Sequence, residues 1–527
     1  MKCAPSPQPL TRHRQWVIAG GLFVIIVLVR APTLFRSVLD WDESLYILMA
    51  EQWQAGHLPY TTIWDNKPIG IYTIFLIFQV IFGDSVAAIR LATAVFVTAN
   101  AIFIFKISYH FLQAKTEPLR SKYAVFASVC YGIGSLSNDG LAANTEIFMT
   151  AFTTLAMLLA VTPTPKVLRR NVMCGLIFGF AVMTKYVAIF EAPALAFALL
   201  YLNRPSTRSA YASRLLATAA GGIIPLLVTV LIYLQAGDIG IWWQDSVISN
   251  ITRVAAAVPI PDINDVGINQ LRNWLPFYVA PLVITIQLMR GRLHEVRNFN
   301  ALLFALLWLI CGSFGVYAAK SFYDHYFLQI LPALCLILTL NIAWLNRIGK
   351  WTISGLMLFP ALAGWHALIQ AATPIITVQG VHISIQPDTT QQVAQELNAV
   401  LQPQQHIYVF DDQPIIYSLT HEEPPTKYVF PSVLTTCFLS KVAKVDAAHE
   451  VHKILKQRPT YVVRTLYPAS ATNNRNYGVY QLVNQTLRDN YHLWHQVGSS
   501  QIFQLNAGTA FNLPSDDAVA PVCGHPS

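Results

Sequence analysis

Long uninterrupted apolar runs dominate the first two thirds of the chain. Residues 16–29, 86–105, 215–234, 301–317 and 326–345 are the clearest, each near the length that crosses a bilayer core of about 30 Å. Together with weaker runs they predict about eleven transmembrane helices. Residues 68–82 are equally apolar but short, and are read as a helix lying at or dipping into the outer interface. Beyond residue 375 the pattern changes. Amphipathic periodicity predicts helices at 391–401, 447–456 and 481–489, and alternation predicts strands at 406–410, 460–464, 493–497 and 501–505. The expected fold is therefore a polytopic α-helical membrane protein with a C-terminal extracytoplasmic α/β domain. The expected domains are a membrane domain over 1–372, with a first outer loop at 31–67 and the interfacial helix at 68–83, then the α/β domain over 373–508. A disordered tail is expected at 509–527.

Composition agrees with the hydropathy pattern. Of 527 residues, 54% are hydrophobic and only 12% charged, against about 25% charged in soluble proteins. The net charge of +8 is distributed in a way that argues against nucleic acid as a partner. With the N-terminus inside, alternate loops hold Lys106, Arg120, Arg169, Arg170, Arg208, Arg290 and Arg347, as expected of cytoplasmic segments. The opposite loops are rich in acids. Counting 68–82 as a full crossing would invert every later loop, so charge selects the interfacial reading where hydropathy alone would not. An odd number of spans then puts the C-terminal domain outside, in a multi-pass membrane protein. The first span follows Arg12-His13-Arg14 without a small-residue cleavage site, and reads as a retained signal anchor. The seven cysteines show no metal-ligand spacing, and a Cys437–Cys523 bridge is open as one pairing.

One loop concentrates candidate chemistry. Asp40, Asp42, Glu43, Glu51 and Asp65 crowd the stretch after the first span, and Lys67-Pro68 closes it. Carboxylates held at a membrane surface usually have a task. Transfer of a sugar from a lipid phosphate needs a carboxylate to take the acceptor's proton and cations to stabilise the departing phosphate. Asp42 is the candidate base, with Glu43 orienting it or binding a metal. Lys67 and Arg90 are candidate phosphate partners, as a point charge and a bidentate fork. Glu146, after Asp139, is a candidate for supporting the base, binding a divalent ion or contacting sugar hydroxyls, or simply for stabilising a helix N-terminus. Lys185 either contacts donor phosphate or snorkels to headgroups. Lys320 and His325 are placed for phosphate or acceptor contacts, and His325 could equally be a satisfied interface histidine. Glu43 and Glu146 are the candidate ligands for a divalent metal ion, the one cofactor considered. The chain has no P-loop and no glycine-rich dinucleotide turn, which fits a donor delivered by lipid. A transporter or lipid-linked sugar flippase is the rival class, but it predicts mid-span charges and repeat symmetry, and neither is found. An inactive scaffold of the same fold is the other alternative.

These residues resemble a known family. Asp42-Glu43-Ser44-Leu45-Tyr46, Lys67-Pro68, Phe82-Gly83-Asp84 through Arg90-Leu91-Ala92, Asn144-Thr145-Glu146 and Tyr326 through Leu331-Pro332 are similar, in order and spacing, to the GT-C superfamily. Within it they resemble bacterial relatives of the protein O-mannosyltransferases and lipid A aminoarabinose transferases, nearest the branch named for Rhizobium lipopolysaccharide-core galacturonosyltransferases. The resemblance covers about the first 340 residues. It implies inverting transfer from a polyprenyl-phosphate sugar donor to a lipid, glycan or protein acceptor on the outer membrane face. It also implies a base at Asp42 beside Tyr46, and phosphate contacts at Lys67 and Arg90. Many relatives have Lys-Pro-Pro where this chain has Lys67-Pro68-Ile69, and aminoarabinose transferases show Asp where this chain has Glu146.

Overall fold

A computed structural model describes residues 10–112, 116–255, 262–290, 298–341, 350–379, 382–466, 474–508 and 510–514. The chain is mostly helical. Helices α1 (Arg12–Arg30), α2 (Trp41–Gln54), α3 (Ile69–Phe82), α4 (Val86–Phe111), α5 (Glu117–Gly134), α6 (Thr145–Val161) and α7 (Val167–Thr184) come first. They are followed by α8 (Ala192–Phe197), α9 (Arg208–Ala236), α10 (Ile239–Trp242), α11 (Ser249–Ala255), α12 (Ile263–Met289), α13 (Phe299–Ala318) and α14 (Leu331–Leu340), and then by a helix over Lys350–Ala372. Among the described residues, five segments are long and apolar enough to cross a membrane: Arg12–Phe35, α4, α7, α9 and α13. Shorter apolar helices accompany them. With 14 residues, α3 is one of these. At 1.5 Å per residue it is ~21 Å long, less than a bilayer core.

The described chain packs as two compact units, one of residues 1–34, 89–232 and 259–371, the other of 35–88, 233–258 and 372–527. In the first unit, apolar side chains on the outer faces of α1 and α9, such as Trp16, Leu28, Leu216 and Leu231, are exposed. Such faces suit lipid, because the helices satisfy their own backbone groups. Small residues let α7 and α9 meet backbone to backbone. A Cβ added at Gly175 would lie 1.9 Å from the Thr218 carbonyl oxygen, and one at Gly221 would lie 2.0 Å from that of Val172. Small-residue spacing of this kind is how membrane helices approach closely.

In the second unit, a four-stranded sheet runs in the order β3-β4-β6-β5, from β3 (Ile407–Phe410), β4 (Tyr461–Thr465), β5 (Tyr491–Val497) and β6 (Ser500–Leu505). Strands β3 and β4 are parallel, and β6 pairs antiparallel with both β4 and β5. Tyr408, Phe410 and Val462 join Val451, Ile454 and Leu482 in its core, the last three carried by helices Ala447–Lys456 and Tyr477–Asn490. The helix expected at 391–401 spans Thr389–Val400. Not foreseen are the hairpin β1 (Ile376–Gln379) with β2 (His382–Ile385) and the short helices between Ile415 and Ala443. Cys437 is disulfide-bonded, while the Cys523 end of the pairing considered above lies outside the described residues, as does most of the expected tail.

This unit also takes in the first outer loop, which the sequence reading grouped with the membrane domain. The physical reason is packing. Trp64 sits in a cluster with Val433, Val442 and Ala443, and its amide donates to the Lys427 carbonyl at 2.8 Å. The Ser37 amide and hydroxyl donate to Asp388 at 2.8 Å, and the Ser418 hydroxyl donates to Glu51.

Candidate functional site

In the second unit the site begins at the N-terminus of α2. Asp40 is its N-cap, and a capping box joins Asp40 to Glu43. The Glu43 carboxylate accepts from the Leu39 and Asp40 amides and is 1% exposed. Asp42 stands beside it in the first turn, where the helix dipole favours a carboxylate, but its side chain is not used by the cap. Instead the Lys67 ammonium lies 3.3 Å from Asp42 Oδ2 and 3.7 Å from Asp65 Oδ1. Tyr46, one helical turn after Asp42, donates its hydroxyl to Asp42 Oδ2 at 3.1 Å. Its ring also lies 5.7 Å from the Lys67 ammonium. Tyr72 donates to Asp65 Oδ2 at 2.7 Å, and Tyr60 fixes the lysine's backbone by donating to the Lys67 carbonyl at 2.6 Å.

The two acids that share Lys67 differ in setting. Asp65 is 3% exposed, and burial pushes its carboxyl above the usual range, against the pull of Lys67 and with help from the charge on Asp42. Asp42 keeps a side chain 20% exposed. A buried acid and a half-buried acid therefore hold one lysine between them. Asp65 was named among the loop acids but given no role, and Tyr60 and Tyr72 were not singled out from sequence. The Asp-x-Lys spacing of 65 and 67 was a readable signal for Asp65, whereas the two tyrosines become partners only through the fold.

In the first unit, Glu146 occupies the first turn of α6 and is 1% exposed. It forms a close ion pair with Lys185, and the Thr145 hydroxyl donates to it at 3.0 Å. The Lys185 ammonium also lies 3.9 Å from the centre of the Tyr326 ring. His325 Nδ1 is 3.8 Å from Asp139 Oδ2, and its ring stacks on Tyr323. Arg90 is 2% exposed and donates from Nε to the Thr33 carbonyl at 3.3 Å. Lys320 ends the turn after α13 in a left-handed conformation, φ 58°. A buried amide network lies beyond: Asn138 donates to Gln270 at 2.9 Å, Asn273 donates to Asn138, and Gln270 donates to Asp324 at 3.1 Å. Glu191, also unforeseen, is fully buried and accepts from Trp308 and Gln329 at 2.7 and 2.9 Å.

Of the residues expected at the site, the structure joins Asp42, Tyr46 and Lys67 in one cluster, Glu146 and Lys185 in another, and Asp139 with His325 in a pair. Glu43 serves the helix cap. Both carboxylates considered as metal ligands already have partners, backbone amides for Glu43 and an ammonium for Glu146.

Residues 66–233 match the family described as dolichyl-phosphate-mannose-protein mannosyltransferase. No curated protein matches the chain. Among solved structures, ArnT from Cupriavidus metallidurans bound to undecaprenyl phosphate is 13% identical with a TM-score of 0.60, over 94% of this chain and 99% of that one. The oligosaccharyltransferase of Archaeoglobus fulgidus, tethered to an acceptor peptide containing the NVT sequon, is 14% identical with a TM-score of 0.50, over 96% of this chain and 75% of that one. The mycobacterial arabinofuranosyltransferase AftD is 12% identical with a TM-score of 0.51, over 96% of this chain but 40% of its own. The solved structures show the fold: the chain folds like these membrane glycosyltransferases, and its residues 66–233 are similar to the mannosyltransferase family.

Proposed function

We propose that the chain transfers a sugar from a polyprenyl-phosphate donor to a lipid, glycan or protein acceptor, with inversion, on the extracytoplasmic face of a bacterial inner membrane. The observation that carries this reading is Lys67 held between Asp42 and Asp65. A lysine paired with Asp42 stabilises its charged form and makes it a poor base. A donor phosphate offers the ammonium another anion, while Asp65 stays behind as the buried counter-charge. Asp42 is then free to accept the proton of the acceptor hydroxyl. The acceptor oxygen attacks the anomeric carbon from the face opposite the phosphate. The new C–O bond forms as the sugar–phosphate C–O bond breaks, and the electron pair leaves with the phosphate. Lys67 neutralises that leaving group. Tyr46 orients Asp42.

The neighbours favour this donor class. The ArnT structure holds undecaprenyl phosphate, and the oligosaccharyltransferase structure holds an acceptor peptide. The acid-rich outer loops and basic inner loops support the orientation. The test is transfer by the purified protein from a panel of radiolabelled polyprenyl-phosphate sugars, with wild type compared against Asp42→Asn and Lys67→Ala. Both variants should insert and fold but lose transfer by about 10²-fold or more. Unchanged turnover in Asp42→Asn would reject the base assignment.

A further inference from the structure

Two neighbouring helix starts in the first unit concentrate cations. Lys166, Arg169 and Arg170 lie at the start of α7, and Arg204, Arg208 and Arg214 at the start of α9. Glu191 is the only acid in the sequence between Glu146 and Asp238, and it is committed to Trp308 and Gln329. The two starts are tied together. The Asn171 side-chain amide donates to the Arg214 carbonyl at 3.3 Å, and that of Asn203 donates to the Ala160 carbonyl at 2.8 Å. Arg170 and Arg214 have structural roles, donating to the Thr162 carbonyl at 3.2 Å and the Leu199 carbonyl at 3.0 Å. Both carbonyls lie near helix ends, where a cation complements the dipole. Lys166, Arg169, Arg204 and Arg208 are different. All four are exposed, and among the described residues none forms an ion pair with a carboxylate. Cations crowded in this way repel one another unless an anion lies among them.

Further along each helix the exposed surface turns apolar on the same face. Met173 and Phe180 follow Arg169 at helical spacing in α7, and Tyr211 and Leu215 follow Arg208 in α9, all four exposed. From Arg169 to Phe180 the helix rises ~16 Å, about half of a bilayer core. A cation at one level with an apolar track one leaflet long beside it is the complement of a phospholipid. We infer that Lys166, Arg169, Arg204 and Arg208 form a docking site for the headgroup of an anionic phospholipid. Charge selects the headgroup, because basic clusters at the end of spanning helices attract anionic lipid. The apolar tracks select a lipid over a soluble anion. Helix α7 ends beside Lys185, which pairs with Glu146, so the site lies at the opposite end of a helix ~27 Å long. The lipid is a partner rather than a substrate, and its binding is independent of sugar transfer.

The probes are dioleoylphosphatidylglycerol and dioleoylphosphatidylcholine, which share acyl chains and differ in headgroup charge. Each is titrated into the full chain in a neutral detergent, with bound lipid counted by native mass spectrometry and lipid-free thermal unfolding measured alongside. Wild type should prefer the anionic lipid by about tenfold or more, and equal binding of the two overturns the site. The double variant Arg169→Gln with Arg208→Gln should bind phosphatidylglycerol about 10- to 30-fold more weakly, at about fivefold per cation. Its affinity for phosphatidylcholine and its lipid-free melting temperature should stay level. The control removes two exposed cations at other helix starts, Arg12→Gln with Lys122→Gln. It should leave phosphatidylglycerol affinity within about twofold of wild type. Equal weakening in both double variants means diffuse attraction to the whole charged face, and overturns the site. If Arg169→Gln with Arg208→Gln melts lower without lipid, Arg208→Gln alone decides: about fivefold weaker binding supports the site, and unchanged binding overturns it. Glycerol phosphate should not displace the lipid, and displacement would replace the lipid site by one for a soluble phosphate.

Discussion

Lys67 and Lys185 each meet carboxylates, in different units and in different ways. Lys185 has one acid, Glu146, which is almost wholly buried, and an aromatic ring beneath its ammonium. That pair is closed: each charge is satisfied, and neither has a reason to move. Lys67 has two acids, one buried and one partly exposed. Removing its ammonium from Asp42 still leaves it beside Asp65, so its position can change without stranding a cation. The contrast separates an arrangement that holds a helix end in place from one that can change partners during a reaction.

Asp42→Asn should produce the largest effect. It is expected to lower transfer by about 10²- to 10⁴-fold with little change in thermal unfolding, whereas a collapse in stability without a specific rate loss would make the two lysine sites alike. Glu146→Gln comes next and acts on stability. Stranding Lys185 in a buried position should cost about 3–5 kcal/mol, visible in thermal unfolding in detergent, and adding Lys185→Met should recover much of it. If Glu146→Gln melts like wild type, Glu146 is not the closed pair described here. Tyr46→Phe deletes one hydrogen bond to Asp42 and should slow transfer by only about three- to tenfold, in keeping with a net bond of about 1 kcal/mol.

The smallest effect belongs to Glu51, half-buried on α2, whose carboxyl is pushed by burial from 4.5 to about 7. At pH below 4.5 the group is neutral whether the protein is folded or unfolded, and it contributes nothing. Between pH 4.5 and 7 the folded protein keeps a proton that the unfolded chain loses, so stability falls as pH rises, and above 7 the cost is constant. Glu51→Gln should therefore melt on the order of 2 °C higher than wild type at pH 8 and no higher at pH 4. Equal melting temperatures at both pH values would remove Glu51 as a titrating contact.

Much of this was legible in the residues. Asp42 and Tyr46 are one helical turn apart, and Lys67-Pro68 stands out in an acidic loop. The strands β3 to β6 stood out as short runs rich in β-branched and aromatic residues. Glu43 shows how such reading misleads. Asp40-x-x-Glu43 before an apolar run is a capping-box signature, yet within a cluster of acids it reads as chemistry. The helices between Ile415 and Ala443 escaped because Pro414, Pro424, Pro425 and Pro431 break the periodicity that reveals helices. Strands β1 and β2, four residues each, are too short for alternation to show. Asp65 with Tyr72, and Trp64 with Val433, are products of tertiary packing, which local pattern does not encode.

The hydrogen bonds between Ser37 and Asp388 join residues 351 positions apart. At translation rates of about 5–20 residues per second, the segment bearing Asp42 and Lys67 leaves the ribosome tens of seconds before the wall it leans on. During synthesis the acidic loop is thus present but unfinished. A chain cut short anywhere before residue 388 would carry Asp42 and Lys67 without the support that Asp388 gives Ser37, so the loop is completed only near the close of translation.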